Sequence, residues 1–131
     1  DRTFIFDGAH NAAGAESFAM TYDELFKDSP KTIVMAILKD KNQAAIIREV
    51  VKVGDTVLVV PAPTDRTEVP ETLVEMIRRT VPKATAQTAD SIEAALALAY
   101  KHTKTGDIIA VCGSLYILGD ARQWFFHEMS H

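Results

Sequence analysis

The chain holds one cysteine, Cys112, so no disulfide can form within it, and a reducing, cytoplasmic setting is expected. No apolar run approaches the ~20 residues of a membrane-spanning helix, and no membrane partner is expected. Basic residues are in deficit. Fourteen Lys and Arg against 18 Asp and Glu give a formal net charge of −4, with no basic face, which makes nucleic acid and anionic surfaces poor partners. Phosphate-binding glycine loops are missing in both common forms, since Gly8 and Gly14 fit neither G-x-x-x-x-G-K-[ST] nor G-x-G-x-x-G. A hydrolytic triad of Ser114, His10 and Asp7 would lack the G-x-S-x-G elbow. Asp7 and His10 alone are too few ligands for a metal. There is no repeat, low-complexity stretch or linker. The chain opens Asp1-Arg2 with no initiator Met and no signal-peptide pattern, so a single domain over residues 1–131, cut from a longer protein, is expected.

What is present is a regular alternation. The 131 residues are 47% hydrophobic and 24% charged, enough for one domain with a real core. Apolar, β-rich runs occur at Thr3–Phe6, Thr32–Leu38, Thr56–Val60, Ala84–Thr88 and Ile108–Cys112. Three of them, Ile33–Leu38, Val57–Val60 and Ile108–Cys112, are apolar without alternation, the mark of strands covered on both faces in a parallel sheet. Ala84–Thr88 alternates weakly and suits an edge. Helical spacing appears between them: after Asn11, over Gln43–Val53 and over Val69–Thr80 with Pro70 in its first turn. It recurs after Asp90-Ser91 with Ile92, Ala95, Leu96 and Ala99 on one face, and over roughly Leu118–Met129. Gly54-Asp55 and Gly106-Asp107 read as turns. The expected fold is α/β, with helices on both sides of a mainly parallel sheet joined by right-handed crossovers.

In such a sheet the strands' carboxyl ends share one edge, where ligands bind. That edge collects Asp7-Gly8-Ala9-His10-Asn11 after the first strand and Lys39-Asp40-Lys41 after the second. It also collects Pro61–Arg66 after the third and Gly113-Ser114 after the last. A carboxylate, an imidazole and an amide at a strand-to-helix turn can meet a ligand, because helix N-termini leave backbone N–H groups unpaired. Plainer readings stand beside this one: Asp7-Gly8 as a turn or cap, His10 as a surface histidine, Lys39–Lys41 as a charged loop, Gly113-Ser114 as an N-cap. Cys112 reads as core, and Trp124-Phe125-Phe126 as helix packing or a partner face.

Asp7-Gly8-Ala9-His10-Asn11 with Gly14-Ala15 resembles the D-G-A-H-N motif that opens the C-terminal domain of folylpolyglutamate synthase/dihydrofolate synthase, in the Mur ligase superfamily. Leu38-Lys39-Asp40-Lys41 resembles that family's D-K loop. Val111-Cys112-Gly113-Ser114-Leu115-Tyr116-Ile117-Leu118-Gly119, continued by Ala121-Arg122, resembles its G-S-L-Y segment. The motifs fall in the expected order across nearly the whole chain. Departures are Ala12 in place of a frequent Pro, Asn42 in place of Asp, and Pro63-Thr64-Asp65-Arg66 in place of a Pro-Arg pair, which leaves Arg66 as a loose equivalent of that arginine. The strand and arginine that usually precede the first motif, and the large N-terminal domain with its phosphate loop and folate pocket, are not in this sequence.

The resemblance implies a Rossmann-like three-layer α/β/α domain of the Mur ligase C-terminal type. It implies part of an ATP-dependent ligase, a tetrahydrofolate:L-glutamate ligase, that joins glutamate to folate through an acyl phosphate. The isolated domain is expected to be inactive. ATP and Mg2+ are the expected cofactors, with Mg2+ held mainly by the N-terminal ATPase domain, itself the expected partner beside ATP, L-glutamate and folate. By the same resemblance Asp7 would accept hydrogen bonds from the ribose, with Asn11 on the nucleotide side. His10 would sit by the phosphates as the catalytic residue, and Ser114, Lys41 and Tyr116 would bind the incoming glutamate. Two other readings remain: a stand-alone nucleotide- or anion-binding module, and the C-terminal domain of another Mur-type ligase.

Overall fold

The computed structural model describes residues 2–8, 10–25, 31–54 and 56–129; Asp1, Ala9 of the first motif and Asp55 of the expected Gly54-Asp55 turn lie outside them. Five strands alternate with helices: β1 (Thr3–Phe6), α1 (Ala12–Leu25), β2 (Lys31–Met35), α2 (Gln43–Val50), β3 (Thr56–Val59), α3 (Pro70–Thr80), β4 (Thr85–Thr88), α4 (Ile92–His102), β5 (Ile108–Cys112) and α5 (Leu118–Met129). A single 3-10 turn, Leu115–Ile117, leads into α5. The strands form one sheet in the order β1-β5-β2-β3-β4, and every neighbouring pair is parallel. The weakly alternating strand is indeed at an edge.

The unbroken apolar runs now have their cause. Ile33 and Met35 of β2 face a core made with Phe18 and Tyr22 of α1, Ile46 and Ile47 of α2, and Leu73 and Ile77 of α3. Val34 and Ala36, alternating with them, face the opposite core, made with Ile92, Leu96 and Ala99 of α4 and Ala121 of α5. Three helices thus cover one face and two the other. Each large apolar side chain removed from water contributes ~1.5–3 kcal/mol, so burial on both faces fixes which strands lie centrally. All five residues of β5 are buried.

Local signals start and stop the helices. Asn42 Oδ1 accepts the Ala45 N–H at the head of α2, and Ser91 Oγ the Ala94 N–H at the head of α4, each satisfying an orphan donor of the first turn. Pro70 opens α3. α2 stops at Val50, earlier than the apolar spacing indicates, because Val51–Val53 tighten into i→i−3 bonds from Lys52 N–H to Glu49 O and from Val53 N–H to Val50 O. β2 likewise ends at Met35 although the apolar run continues to Leu38. Beyond Met35 the backbone pairs with the returning β3 loop, through a Leu38–Thr67 bridge and a Glu68 N–H to Ile37 O bond of 3.1 Å. The run therefore reports burial, not strand pairing.

The C-terminal aromatics pack on β1. Phe4 meets Trp124 and Phe125 at ring separations of 6.0 and 5.0 Å, and Phe6 meets Phe125 at 5.8 Å. Phe126 stays exposed. Arg2 ties the start of β1 to α4: its guanidinium lies 4.1 Å over the Tyr100 ring, and its Nε donates to Thr103 Oγ1.

Two consequences can be measured. Gly113 has φ +97, and a Cβ there would strike the Ala36 carbonyl oxygen; Gly106 has φ +94 but open space around it. Gly106→Ala should cost ~1–2 kcal/mol from the left-handed backbone alone. Gly113→Ala should cost clearly more in urea denaturation, since strain and collision add, and equal costs would refute the argument. The second concerns Tyr22 and Cys112, which lie near Asp7 in the same core. Burial first, then the Asp7 carboxylate, pushes both pKa values above their usual range. Folding therefore favours the protonated forms. That contribution is whole below the thiol's unfolded pKa of ~8.5 and is lost as pH rises past it and past the phenol's ~10. Tm should fall from about pH 8.5 upward, and Tyr22→Phe should flatten the decline above pH ~10. A wild-type Tm that holds steady to pH 11 would contradict this.

Candidate functional site

The carboxyl edge of the sheet is a rim of four loops whose order follows the strands. The β1 loop comes first. Asp7 continues the sheet, its N–H bonded to Val111 O at 2.9 Å. Asp7, Gly8, His10, Asn11, Gly14, Ser17, Phe18 and Thr21 line a cleft of about 260 Å³ at the head of α1. His10 Nδ1 lies 2.7 Å from Gly8 O. A carbonyl only accepts, so Nδ1 must carry the proton, and Nε2 is the ring atom left to a ligand. Asn11 caps α1, its Oδ1 accepting the Gly14 N–H at 2.8 Å. Its side-chain oxygen is thus spent on the fold, and its amide NH2 is what remains for a ligand.

The β5 loop sits beside it. A Cβ on Gly8 would come within 2.8 Å of Leu115 Cδ2, so this glycine lets the two loops touch. Ser114 is buried, at 1% exposure, and its Oγ accepts the Tyr116 N–H at 3.1 Å. It is the cap of the 3-10 turn, with only its hydroxyl proton left to donate. Leu115 and Tyr116 both reach solvent, at 57% and 46% exposure, and Tyr116 is the polar one of the two.

The β2 and β3 loops complete the rim and are stitched together. Lys39 N–H donates to Arg66 O at 2.8 Å, and Arg66 Nη2 donates to Asp40 Oδ2 at 2.5 Å. The guanidinium holds the Asp40 carboxyl below the usual carboxylate range, and Asp40, with Tyr116 beside it, raises Arg66 in turn. Gln43 Nε2 donates to Glu68 Oε1 at 3.0 Å, and Glu68 also accepts the Val69 N–H, which together lower its pKa. Lys41 is half-buried in the same loop. The structure thus brings Asp7, His10 and Asn11 into one cleft and sets Ser114 and Tyr116 next to them. Lys41 falls in the adjoining loop. The Asp40–Arg66–Tyr116 contact was not foreseen. Its sole signal in the sequence is that two loops of opposite charge follow strands that prove to be neighbours.

A larger cleft, about 820 Å³, opens at the other end of the strands between Lys31, Thr56, Lys83, Gln87 and His102. It exists because α4 packs on β2 and β3 while Thr85 and Gln87 of β4 stay exposed. Among the described residues no three His, Cys, Asp or Glu side chains gather as a metal site, and no helix is long and apolar enough to cross a membrane.

This architecture has known relatives. Folylpolyglutamate synthase of Lacticaseibacillus casei is 30% identical over 119 residues, covering 91% of this chain and 26% of that protein. The structure of E. coli FolC in complex with DHPP and ADP matches with a TM-score of 0.86 and 25% identity, over 96% of this chain and 29% of that one. Mycobacterium tuberculosis folylpolyglutamate synthase complexed with ADP matches with a TM-score of 0.80 and 28% identity, over 91% and 29%. The chain spans less than a third of the length of each. Residues 1–123 match the model of the dihydrofolate synthetase C-terminal domain, and the chain belongs to that family.

Proposed function

We propose that this chain is the C-terminal domain of an ATP-dependent folate–glutamate ligase, a folylpolyglutamate synthase, and that it closes over a nucleotide held chiefly by an N-terminal ATPase domain. The observation that carries the reading is the β1 cleft: Asp7, His10 and Asn11 gathered at the head of α1, beside the Ser114–Tyr116 turn. At about 260 Å³ it is too small to enclose a nucleotide and suits one wall of a site between two domains. ATP supplies the γ-phosphoryl group that activates a folate carboxylate as an acyl phosphate, and the amine of L-glutamate then displaces phosphate to give the amide.

The residues of this chain bind and orient. Asp7, an acceptor at the strand end, suits the ribose hydroxyls. Asn11 keeps an amide NH2 for the nucleotide. His10 presents Nε2 where a phosphate oxygen or the glutamate amine would lie, in position to stabilise charge as it develops. Lys41 and Tyr116 face the glutamate side, and Ser114, buried behind them, shapes that side by fixing the turn that carries Tyr116. Mg2+ would be held mainly by the N-terminal ATPase domain, where it would neutralise charge on the phosphates. Closure of the domain would keep water from the acyl phosphate. A cytoplasmic location goes with this chemistry.

His10→Ala in the full-length enzyme tests the reading. It should lower kcat ~10²–10³-fold, the range for one preorganised group acting in the transition state. The lost bond to Gly8 O should cost only ~0.5–1.5 kcal/mol of stability. Near-normal kcat would remove His10 from the chemistry. The 131-residue chain by itself should melt cooperatively yet show no glutamate-dependent ATP hydrolysis, and turnover by it would sink the two-domain reading.

A further inference from the structure

The cleft of about 820 Å³ at the amino ends of the strands takes no part in the rim. Lys31 and Thr56, the first residues of β2 and β3, open onto it, as does Lys52 from the turn between α2 and β3. Lys83, just ahead of β4, and His102, the last residue of α4, close it from the other side. Its apolar lining includes Leu58, which is buried, and Leu98, which is half-buried. A cleft of this size suits a small organic molecule, and apolar lining with a few convergent polar groups is the usual make-up of such a site.

The charge of the cleft runs against that of the chain. The whole sequence carries a net −4, yet the described residues lining the cleft bring three lysines and a histidine against one carboxylate, Asp107. That carboxylate is committed to a turn, since its Oδ2 accepts the Lys104 N–H at 2.8 Å. Lys52 is paired with Glu49, one helical turn away, in an exposed ion pair that competes weakly with a ligand. Among the described residues no hydrogen bond or ion pair holds the side chains of Lys83 and His102. His102 and Lys101 also offset the negative end of α4, which would otherwise repel an anion. Like charges drawn together from separate segments repel one another, and an anion placed between them removes that cost.

We propose that this cleft binds a small organic polyanion, an aromatic or heteroaromatic body carrying two or more carboxylates or phosphates. Lys83 and His102 meet the charges, and Leu58 and Leu98 lie against the body. The cleft and the rim are at opposite ends of the strands, so occupancy of one leaves the other open. The proposal does not rest on the ligase reading, which only supplies two anions of this chemistry: a folate bearing a glutamate chain, and an adenine nucleotide.

The test is calorimetric titration of the full-length enzyme with pteroyltriglutamate and, separately, with ADP. For at least one of them the wild type should bind a further molecule per chain that Lys83→Glu weakens at least ~10-fold, as expected when a charge-assisted contact is reversed. The same variant should keep its remaining sites within about twofold, because they lie far from Lys83. Lys83→Arg, which keeps the charge, should bind as the wild type does, and His102→Ala should weaken the further molecule by a smaller factor. Gln87 is exposed beside Leu58 on β4, where a strand accepts an aromatic, so Gln87→Trp should fill the cleft and abolish that binding. These are surface positions, so melting temperatures should stay close to that of the wild type. The ligand that shows the effect names the source, folate or nucleotide. A further molecule that Lys83→Glu and Gln87→Trp both leave unchanged would overturn the inference, as would a titration with no further molecule for either ligand. An enzyme that bound the anion there but consumed no ATP with folate and glutamate present would overturn the ligase reading alone.

Discussion

Everything at the carboxyl edge depends on how β5 is seated. It is the last strand in the chain yet lies between the first and the second, hydrogen-bonded to β1 on one side and β2 on the other. All five of its residues are buried, and its exit is governed by Gly113, whose backbone passes against the Ala36 carbonyl. No side chain fits at that crossing. The left-handed turn there sends the chain back over the edge, so that Ser114–Tyr116 fall between the β1 loop and the β2 and β3 loops. A rim that spans the chain from Asp7 to Tyr116 is thereby assembled by one strand insertion.

The rim also shows how closely folding and binding share atoms in this small domain. Asn11 and Ser114 are the residue types a ligand site would use, and both spend their side-chain oxygens on orphan backbone N–H groups. His10 donates its Nδ1–H to Gly8 O, a bond that fixes both its ring and its tautomer. Such commitments hold the remaining donors and acceptors in place. A site whose groups are already oriented loses less entropy when a ligand arrives, which favours charge stabilisation by fixed dipoles over adjustable ones.

Much of this was legible in the sequence, for a specific reason. Central parallel strands are apolar on both faces, so Ile33–Met35, Val57–Val59 and Ile108–Cys112 announce themselves without any partner being known. A cap such as Ser91 marks a helix start by residue type, whereas the cap at Asn42 showed only in the structure. Ends were less visible: Ala36–Leu38 are as apolar as the strand before them but pair with a loop, and Val51 and Val53 keep the apolar spacing of α2 but lie in a tighter turn. Burial alone cannot distinguish these. Motif spacing located Asp7, His10 and Ser114 along the chain. It could not show that Ser114 is enclosed, because enclosure is a property of the assembled fold. The Asp40–Arg66 pair was illegible because its members come from loops after β2 and β3, and which strands are neighbours is a property of the assembled sheet.

The insertion of β5 has a consequence for how the molecule is made. Synthesis delivers β1 first, but among the described strands its one partner is β5, at the opposite end of the chain. β2, β3 and β4, with α2 and α3, can assemble as soon as they leave the ribosome, since their pairings are between consecutive strands. β1 must wait, with Phe4 and Phe6 uncovered, until Ile108–Cys112 and the aromatic face of α5 emerge. Among the pairings of the described strands, β1 with β5 joins the most distant segments and carries the largest loop-closure cost. The cleft at the head of α1 and the strand that completes its edge are thus the last pieces to meet, so a chain that stalls short of Gly113 carries the motif residues but no rim.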